Sequence, residues 1–391
     1  MTTYKELRGS QIEVVATDPS NPVEGQVWYN TTSNVLKGQA ATTVGSWRTA
    51  NSMNTARRFL GGAGINTAAL LFGGEVSGSG SGVTESYNGT SFTEVNDLNT
   101  GRVRIGGVGA DNTAVLAFGG SGPPTSPNYK AETESFNGTN WTEVNNLNDG
   151  RWAMAGNAGI QNAALLFGGA PGEVPSSGPN TEVWNGTNWT EVNNLNTQRS
   201  ENAGSGTYTS ALSIAGTPSY PTSTAVVEQW NGTNWTEITD VNTGRNDLGS
   251  LKGGGTVTDT IIFGGINRSG PTIYANTESW NGTSWTEIVD LSQARLSLAG
   301  SGTSTSALAF GGTNPPSAEI GNVEEFTANG PVGAWATTSS INRGPSQSFG
   351  SAGINNSAMI FGGQTPGTNY RTLTETWDGS SWTEVADLNT A

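Results

Sequence analysis

One unit of 44 to 50 residues recurs seven times, from about residue 55 to the last residues of the chain. Its landmarks stay in register. Each copy opens on an arginine: Arg58, Arg102, Arg151, Arg199, Arg245, Arg295 and Arg343. A small-residue stretch leads to an apolar run, such as Leu70-Leu71-Phe72, Leu165-Leu166-Phe167 or Ile261-Ile262-Phe263, closed by Gly-Gly. After a variable loop comes a glutamate two residues before an aromatic: Glu85, Glu134, Glu182, Glu228, Glu278, Glu324 and Glu375. The copy ends on Phe92, Trp141, Trp189, Trp235, Trp285, Trp335 or Trp382. Short runs that are apolar throughout suit strands covered on both faces. Gly-Gly lets the chain turn sharply against a neighbour. The Asn-Gly pairs at 88–89, 137–138, 185–186, 231–232 and 281–282, with Asp378-Gly379 in the last copy, predict two-residue type I′ hairpins.

Four strand-like segments per unit, repeated at this period, read as the blades of a β-propeller. Aromatics on either side of each hairpin, Trp184 and Trp189 for example, are expected to fill the wedge between blades. Burying about 200 Å² per ring is worth at most roughly 5 kcal/mol at about 25 cal/mol/Å². The expected fold is all-β: a seven-bladed propeller over residues 45–391, one blade per copy, behind a small N-terminal β-hairpin element over 1–44. Two placements are open for Ser46-Trp47-Arg48-Thr49. It either ends the N-terminal element or pairs into the last blade and locks the ring, with the balance toward the first.

The Gly-Gly after the second strand and the paired aromatic and Trp near the end of each unit resemble the kelch family. The resemblance covers roughly residues 55–389. It departs from the family at Ala215, which stands where the first Gly belongs, and in a tighter hairpin between aromatic and Trp. Kelch-type propellers bind proteins or sugars and a few are enzymes, so the resemblance implies little about function by itself. The segment Pro22–Gly38 resembles a hairpin motif of tailed-bacteriophage virion proteins, one that precedes the variable part of tail fibres and other appendages. Together with the Trp-Asn-Gly-Thr-Asn-Trp-Thr-Glu array it is similar to structural proteins of marine tailed phages. On that resemblance Val27, Trp28, Tyr29, Asn30, Val35 and Leu36 are the expected virion-attachment residues.

Composition narrows the chemistry. Lys plus Arg total 17 against 32 for Asp plus Glu, a net charge of −15, and the repeated arginines are expected to pair with the repeated glutamates. Few basic groups remain to neutralise phosphates, so nucleic acid is not an expected partner. There is no apolar run near the roughly 20 residues that span a bilayer, and the start, Met-Thr-Thr-Tyr-Lys-Glu, has no signal-peptide pattern. Membrane insertion is therefore not expected. The chain contains no histidine and no cysteine. The commonest general base and metal ligand is missing, as is the copper chemistry of galactose-oxidase-like propellers. No calcium-loop spacing occurs, and the hairpins lack the Asp-x-Gly spacing of sialidase Asp-boxes. No catalytic residue, metal or cofactor is expected. Sevenfold repetition of Arg and Glu argues for structural ion pairs rather than an active site. The many Asn-x-Thr sequons are explained by hairpins.

What varies from copy to copy is the loop after Gly-Gly, rich in Pro, Gly and Ser. These loops share one face with the connections between blades, opposite the Asn-Gly turns, and regular strands under divergent loops make a binding platform. Four of them carry a tyrosine, Tyr129, Tyr220, Tyr274 and Tyr370, the expected contacts for sugar or protein. The expected function is a tail-fibre or appendage propeller that recognises the host surface. The alternative is a decoration subunit of head, neck or tail, and a glycan-degrading propeller comes last. Expected partners are other virion proteins and a host surface glycan, and homo-oligomers fit fibre-like virion proteins. Such a protein would assemble in the host cytoplasm, sit on the virion and become extracellular on lysis.

Overall fold

The computed structural model describes residues 13–15, 27–30, 35–38, 45–122, 129–152, 156–170, 177–251, 254–314, 319–328, 350–354, 357–361, 372, 374–377 and 382–387. Among these residues there are strands and turns but no helix. The chain divides into two compact units, Met1–Val332 and Gly333–Ala391.

In the first unit, β1 (Glu13–Val15), β2 (Val27–Asn30) and β3 (Val35–Gly38) form a three-stranded sheet. The β2–β3 pair is the expected antiparallel hairpin, with Val27 opposite Gly38 and Asn30 opposite Val35. It carries all six expected attachment residues, whose side chains lie outside the described set.

The rest of the unit is a ring of six four-stranded antiparallel blades, not seven. Blades one to five each use one repeat, in strand order from the axis outward. Blade three, for instance, runs Gly156–Ile160, Ala163–Phe167, Thr181–Trp184 and Trp189–Val192. Blade six takes three strands from the sixth repeat, Ala299–Thr303, Ser306–Phe310 and Val323–Thr327. Its outer strand is β4, Ser46–Ala50, which pairs with Trp47 opposite Phe326 and Arg48 opposite Glu325. The inner strand Ala299–Thr303 then packs beside Gly61–Ile65 of blade one, and the ring is shut. The strand containing Trp47 thus locks the ring, but through the sixth copy. That copy departs from the others at Asn329-Gly330-Pro331. Those three residues lie outside the described set, and β4 supplies the outer edge of this blade. The seventh copy forms a separate four-stranded sheet in the second unit, from Gly350–Ile354 to Trp382–Val385. Arg343 and Trp335 lie outside the described residues.

Trp47 also obeys the packing rule of its new position. In four of the blades the outer Trp meets the Phe before Gly-Gly on the preceding blade: Trp141 with Phe72 at 5.2 Å, Trp189 with Phe118 at 5.0 Å, Trp235 with Phe167 at 4.8 Å, and Trp47 with Phe263 at 5.0 Å. Its indole N–H donates across the same seam, Trp141 to Thr84, Trp189 to Thr133, Trp235 to Thr181 and Trp47 to Thr277, all at 3.1–3.2 Å. The wedge-filling role expected of the aromatics is what these contacts do.

The repeated arginines and glutamates pair inside the blades: Arg102–Glu134, Arg151–Glu182, Arg199–Glu228, Arg245–Glu278 and Arg295–Glu324. In the first copy the inward arginine is Arg57, 2.8 Å from Glu85, and not Arg58. Arg57 is fully buried while Arg58 points out to Glu75. Each glutamate also caps the connection arriving from the preceding blade: Glu85 accepts the Asn54 and Thr55 N–H groups, and Glu134 that of Asn99. Burial lowers the proton affinity of all six arginines against the pull of their partners.

Two turns need particular backbones. The first residue of Gly-Gly is left-handed, φ +63° at Gly73, and Ala215 adopts the same region at φ +56° despite its Cβ. The Asn-Gly hairpins differ from the type I′ expectation. Asn137 N–H bonds the Asn140 carbonyl, so the central residues are Gly138-Thr139, and only the glycine has positive φ, +90°. Glycine first is the type II′ preference. Asparagine sits one position earlier, where its Oδ1 accepts the Thr139 and Asn140 N–H groups.

Candidate functional site

Each Gly-Gly exit pairs back onto the segment that enters its own blade's inner strand. The bridges are Arg58 with Glu75, Val103 with Ser121, Trp152 with Ala170, Ser200 with Thr217, Asn246 with Ile266 and Leu296 with Thr313. These bridges set the variable loops and the blade entries on one face. There, two residues after the buried arginine, the repeat breaks. The position holds Phe59, Arg104, Glu201, Asp247 and Ser297, and Ala153 lies outside the described residues. All five have left-handed backbones, φ +54° to +57°, a conformation costing a non-glycine residue roughly 1–3 kcal/mol. They are held there by hydrogen bonds running around the axis: Phe59 N–H to the Ser297 carbonyl (3.0 Å), Arg104 to Phe59 (2.8 Å), Asp247 to Glu201 (3.1 Å) and Ser297 to Asp247 (2.9 Å). This is a collar at the mouth of the ring whose side chains differ at every position.

The collar carries charge. Glu201 is saturated. Its Oε1 accepts Arg104 Nη1 at 3.1 Å and Arg268 Nη2 at 3.3 Å, and its Oε2 accepts Arg268 Nε at 3.2 Å, Thr217 Oγ1 at 3.3 Å and Asn246 Nδ2. Arg268 arrives from the hairpin Ile266–Asn267/Thr272–Ile273 of blade five and also pairs with Asp247 Oδ2. Asp247 is fully buried, and its Oδ1 has no partner among the described residues. Burial, reinforced by the Glu201 charge and opposed by Arg268 and Arg104, pushes the Asp247 carboxyl up to about 7. Burial works against the Arg268 charge, but Asp247 and Glu201 prevail and hold its proton above the ordinary range. Arg104 lies over two aromatic faces, 4.1 Å from the Phe59 ring centre and 4.5 Å from that of Trp152.

Two of the tyrosines expected from sequence come to this collar. Tyr129 packs its ring 6.2 Å from Trp152. Tyr220, 51% exposed, has the Arg268 guanidinium 5.7 Å from its ring centre. Tyr274 does not join by any described contact. It is half-buried, and its backbone bonds Gly265 and Arg295. Tyr370 lies outside the described residues. The collar itself was missed in the sequence, although a signal existed: aligned on the buried arginine, the column two residues on holds Phe, Arg, Ala, Glu, Asp and Ser in the six ring copies. A second concavity of about 410 Å³ lies beside the ring-closing strand, between Arg48, Asn51, Glu325 and Tyr87. Tyr87, whose ring packs on Phe92, holds a position where blades three to five carry the larger Trp pairs. Among the described residues no group of three or more acidic side chains could hold a metal ion, and no helix is long and apolar enough to cross a membrane.

No family model and no curated protein matches the sequence. Among solved structures, the structure of YjhT, a propeller, superposes with a TM-score of 0.57 at 13% identity, over 70% of this chain and 96% of its own. Identity this low speaks for the fold alone. With the ring described above, it defines the chain as an all-β protein of the β-propeller class.

Proposed function

We propose that this chain is a kelch-like virion protein of a tailed bacteriophage, a tail-fibre or appendage propeller that recognises the host surface without catalysis. The observation that carries the reading is the collar. It is the place where the copies in the ring stop resembling one another, it gathers Arg104, Glu201 and Asp247 with the incoming Arg268 and the Phe59 and Trp152 rings, and it opens among the divergent loops. Regular strands under a variable face are how scaffolds carry recognition. The phage assignment rests on the sequence of the β2–β3 hairpin and on its resemblance to virion attachment segments. In this reading that hairpin docks on other virion proteins and the collar face points outward. With no histidine or cysteine anywhere in the chain, recognition is a better use of this face than turnover.

The test is binding of the full chain to intact host cells, with purified envelope glycan as competitor. Saturable, competable binding supports recognition. Absence of binding, with stable incorporation into particles, would make the protein a decoration subunit whose collar meets other virion proteins.

A further inference from the structure

The bare Asp247 Oδ1 is fully buried, so the bonding capacity that solvent can reach at the collar is on the donor side. Glu201 takes five hydrogen bonds from four residues, and Asp247 Oδ2 is taken by Arg268. Arg104 spends only Nη1 on protein. Its Nε and Nη2 have no acceptor among the described residues, and they are not among the buried unpartnered atoms. The side chain keeps 20% of its surface exposed. Its plane is fixed at three points, by Glu201 on one edge and by the Phe59 and Trp152 rings. A guanidinium so held presents a preorganised pair of N–H groups to a planar or tetrahedral oxyanion. The neighbouring ring most open to solvent is Tyr220, at the Arg268 side of the cluster, and an exposed tyrosine suits the C–H face of a sugar.

We infer that the collar binds an acidic sugar residue, a uronate or a sulfated hexose, whose oxyanion pairs with the free edge of Arg104. This rests on the proposed recognition role and names its ligand class. The net charge of −15 fits a selective site: long-range repulsion keeps polyanions away in general, so an anion is held only where the short-range geometry is right.

The experiment is calorimetric titration of the purified full chain with methyl glucuronide and methyl galacturonide, glucose 6-sulfate, and the neutral methyl glucoside and galactoside. Arg104→Gln removes the charge, and Arg104→Lys keeps it without the planar edge. Thermal melting confirms that each variant folds. At least tenfold tighter binding of an acidic sugar than of its neutral counterpart is expected, with that preference lost in Arg104→Gln and reduced in Arg104→Lys. The carboxylate and sulfate arms distinguish the two sources of oxyanion. Equal binding of acidic and neutral sugars overturns the inference, as does an acid preference that survives Arg104→Gln. Binding of a short acidic peptide with no acidic sugar bound would also overturn it. Should Arg104→Gln fail to fold, Tyr220→Ala replaces it, and acid-sugar affinity unchanged in that variant overturns placement at the collar. Cell binding that persists in a folded Arg104 variant would leave host recognition standing and remove this ligand. Arg104-dependent sugar binding without cell binding would do the reverse.

Discussion

The molecule contains two populations of Arg–carboxylate contacts, and they behave in opposite ways. Inside the blades the pairs are closed. Arg102 gives Nη1 to the Gly119 and Glu132 carbonyls and Nη2 to Glu134, whose other oxygen caps the connection at Asn99. Both partners are 0–4% exposed in all six blades, and burial lowers the arginines' proton affinity. At the collar the charges are shared unequally. One glutamate serves two arginines, one aspartate oxygen is bare, Arg268 is raised and Asp247 is raised. The repeated pairs join each blade to the next, a demand identical at every seam. The collar has no such uniform task, and its side chains have diverged.

Breaking a repeated pair should therefore cost the most. Glu228→Gln leaves the fully buried Arg199 charge without its counter-charge, and losing one partner of such a pair costs about 3–5 kcal/mol. For a ring of this size that is a fall in Tm of roughly 10 °C. Glu201→Gln, at the collar, should lower Tm by less than half as much, because Arg104 and Arg268 are partly solvated. Equal losses in calorimetric melts would erase the distinction between the two populations.

Next in size is the ring closure. Trp47→Ala should cost about 3 kcal/mol, within the range for truncating a packed aromatic, because its ring contacts Phe263 and Phe326 and its N–H bonds Thr277. Phe92→Ala in blade one should cost a similar amount. If Trp47→Ala were silent while Phe92→Ala was not, β4 would not be the sixth blade's edge.

The blades were legible in the sequence and the closure was not, for a physical reason. Strand runs, Gly-Gly turns and the Arg–Glu pairs recur, and recurrence exposes local rules. The pairing of Arg48 with Glu325 spans 277 residues, and nothing in either segment alone names its partner. Counting copies gives the number of units but not which of them enclose the axis. The adjacent Arg57 and Arg58 were ambiguous because one turns inward and the other outward to Glu75. The collar was hidden for a different reason. Phe59, Arg104, Glu201 and Asp247 occupy backbone conformations usually left to glycine, so local propensity gives no hint that large charged side chains belong there. Tyr129 and Tyr220 were findable because loops that diverge still carry aromatics.

The collar should also make stability depend on pH. Folded Asp247 holds its proton up to about pH 7, and an unfolded aspartate releases it near 3.8. Between those values the folded state binds more protons, so stability is greatest below about pH 4 and is lost as pH rises toward 7. The gap between those values bounds the loss attributable to this group at about 4 kcal/mol. Asp247→Asn should flatten that part of the pH profile, while the Arg268→Lys variant, which keeps a cation, should retain it. A denaturant midpoint for Asp247→Asn that falls across pH 4–7 as steeply as the parent's would assign the slope to other carboxylates.

The smallest effect on folding should come with a large effect on recognition. Tyr220 is half exposed, and its one described side-chain contact is the Arg268 guanidinium. Tyr220→Ala should change stability by no more than about 0.5 kcal/mol, as surface substitutions do, yet weaken binding to cells or acidic sugar severalfold. Tyr274→Ala is its control. That residue came from the same sequence pattern, but its described contacts are backbone bonds to Gly265 and Arg295, so recognition should be unmoved. If the two variants lost binding equally, the recognition surface would extend over the whole loop face, and the collar would be one part of it rather than its centre.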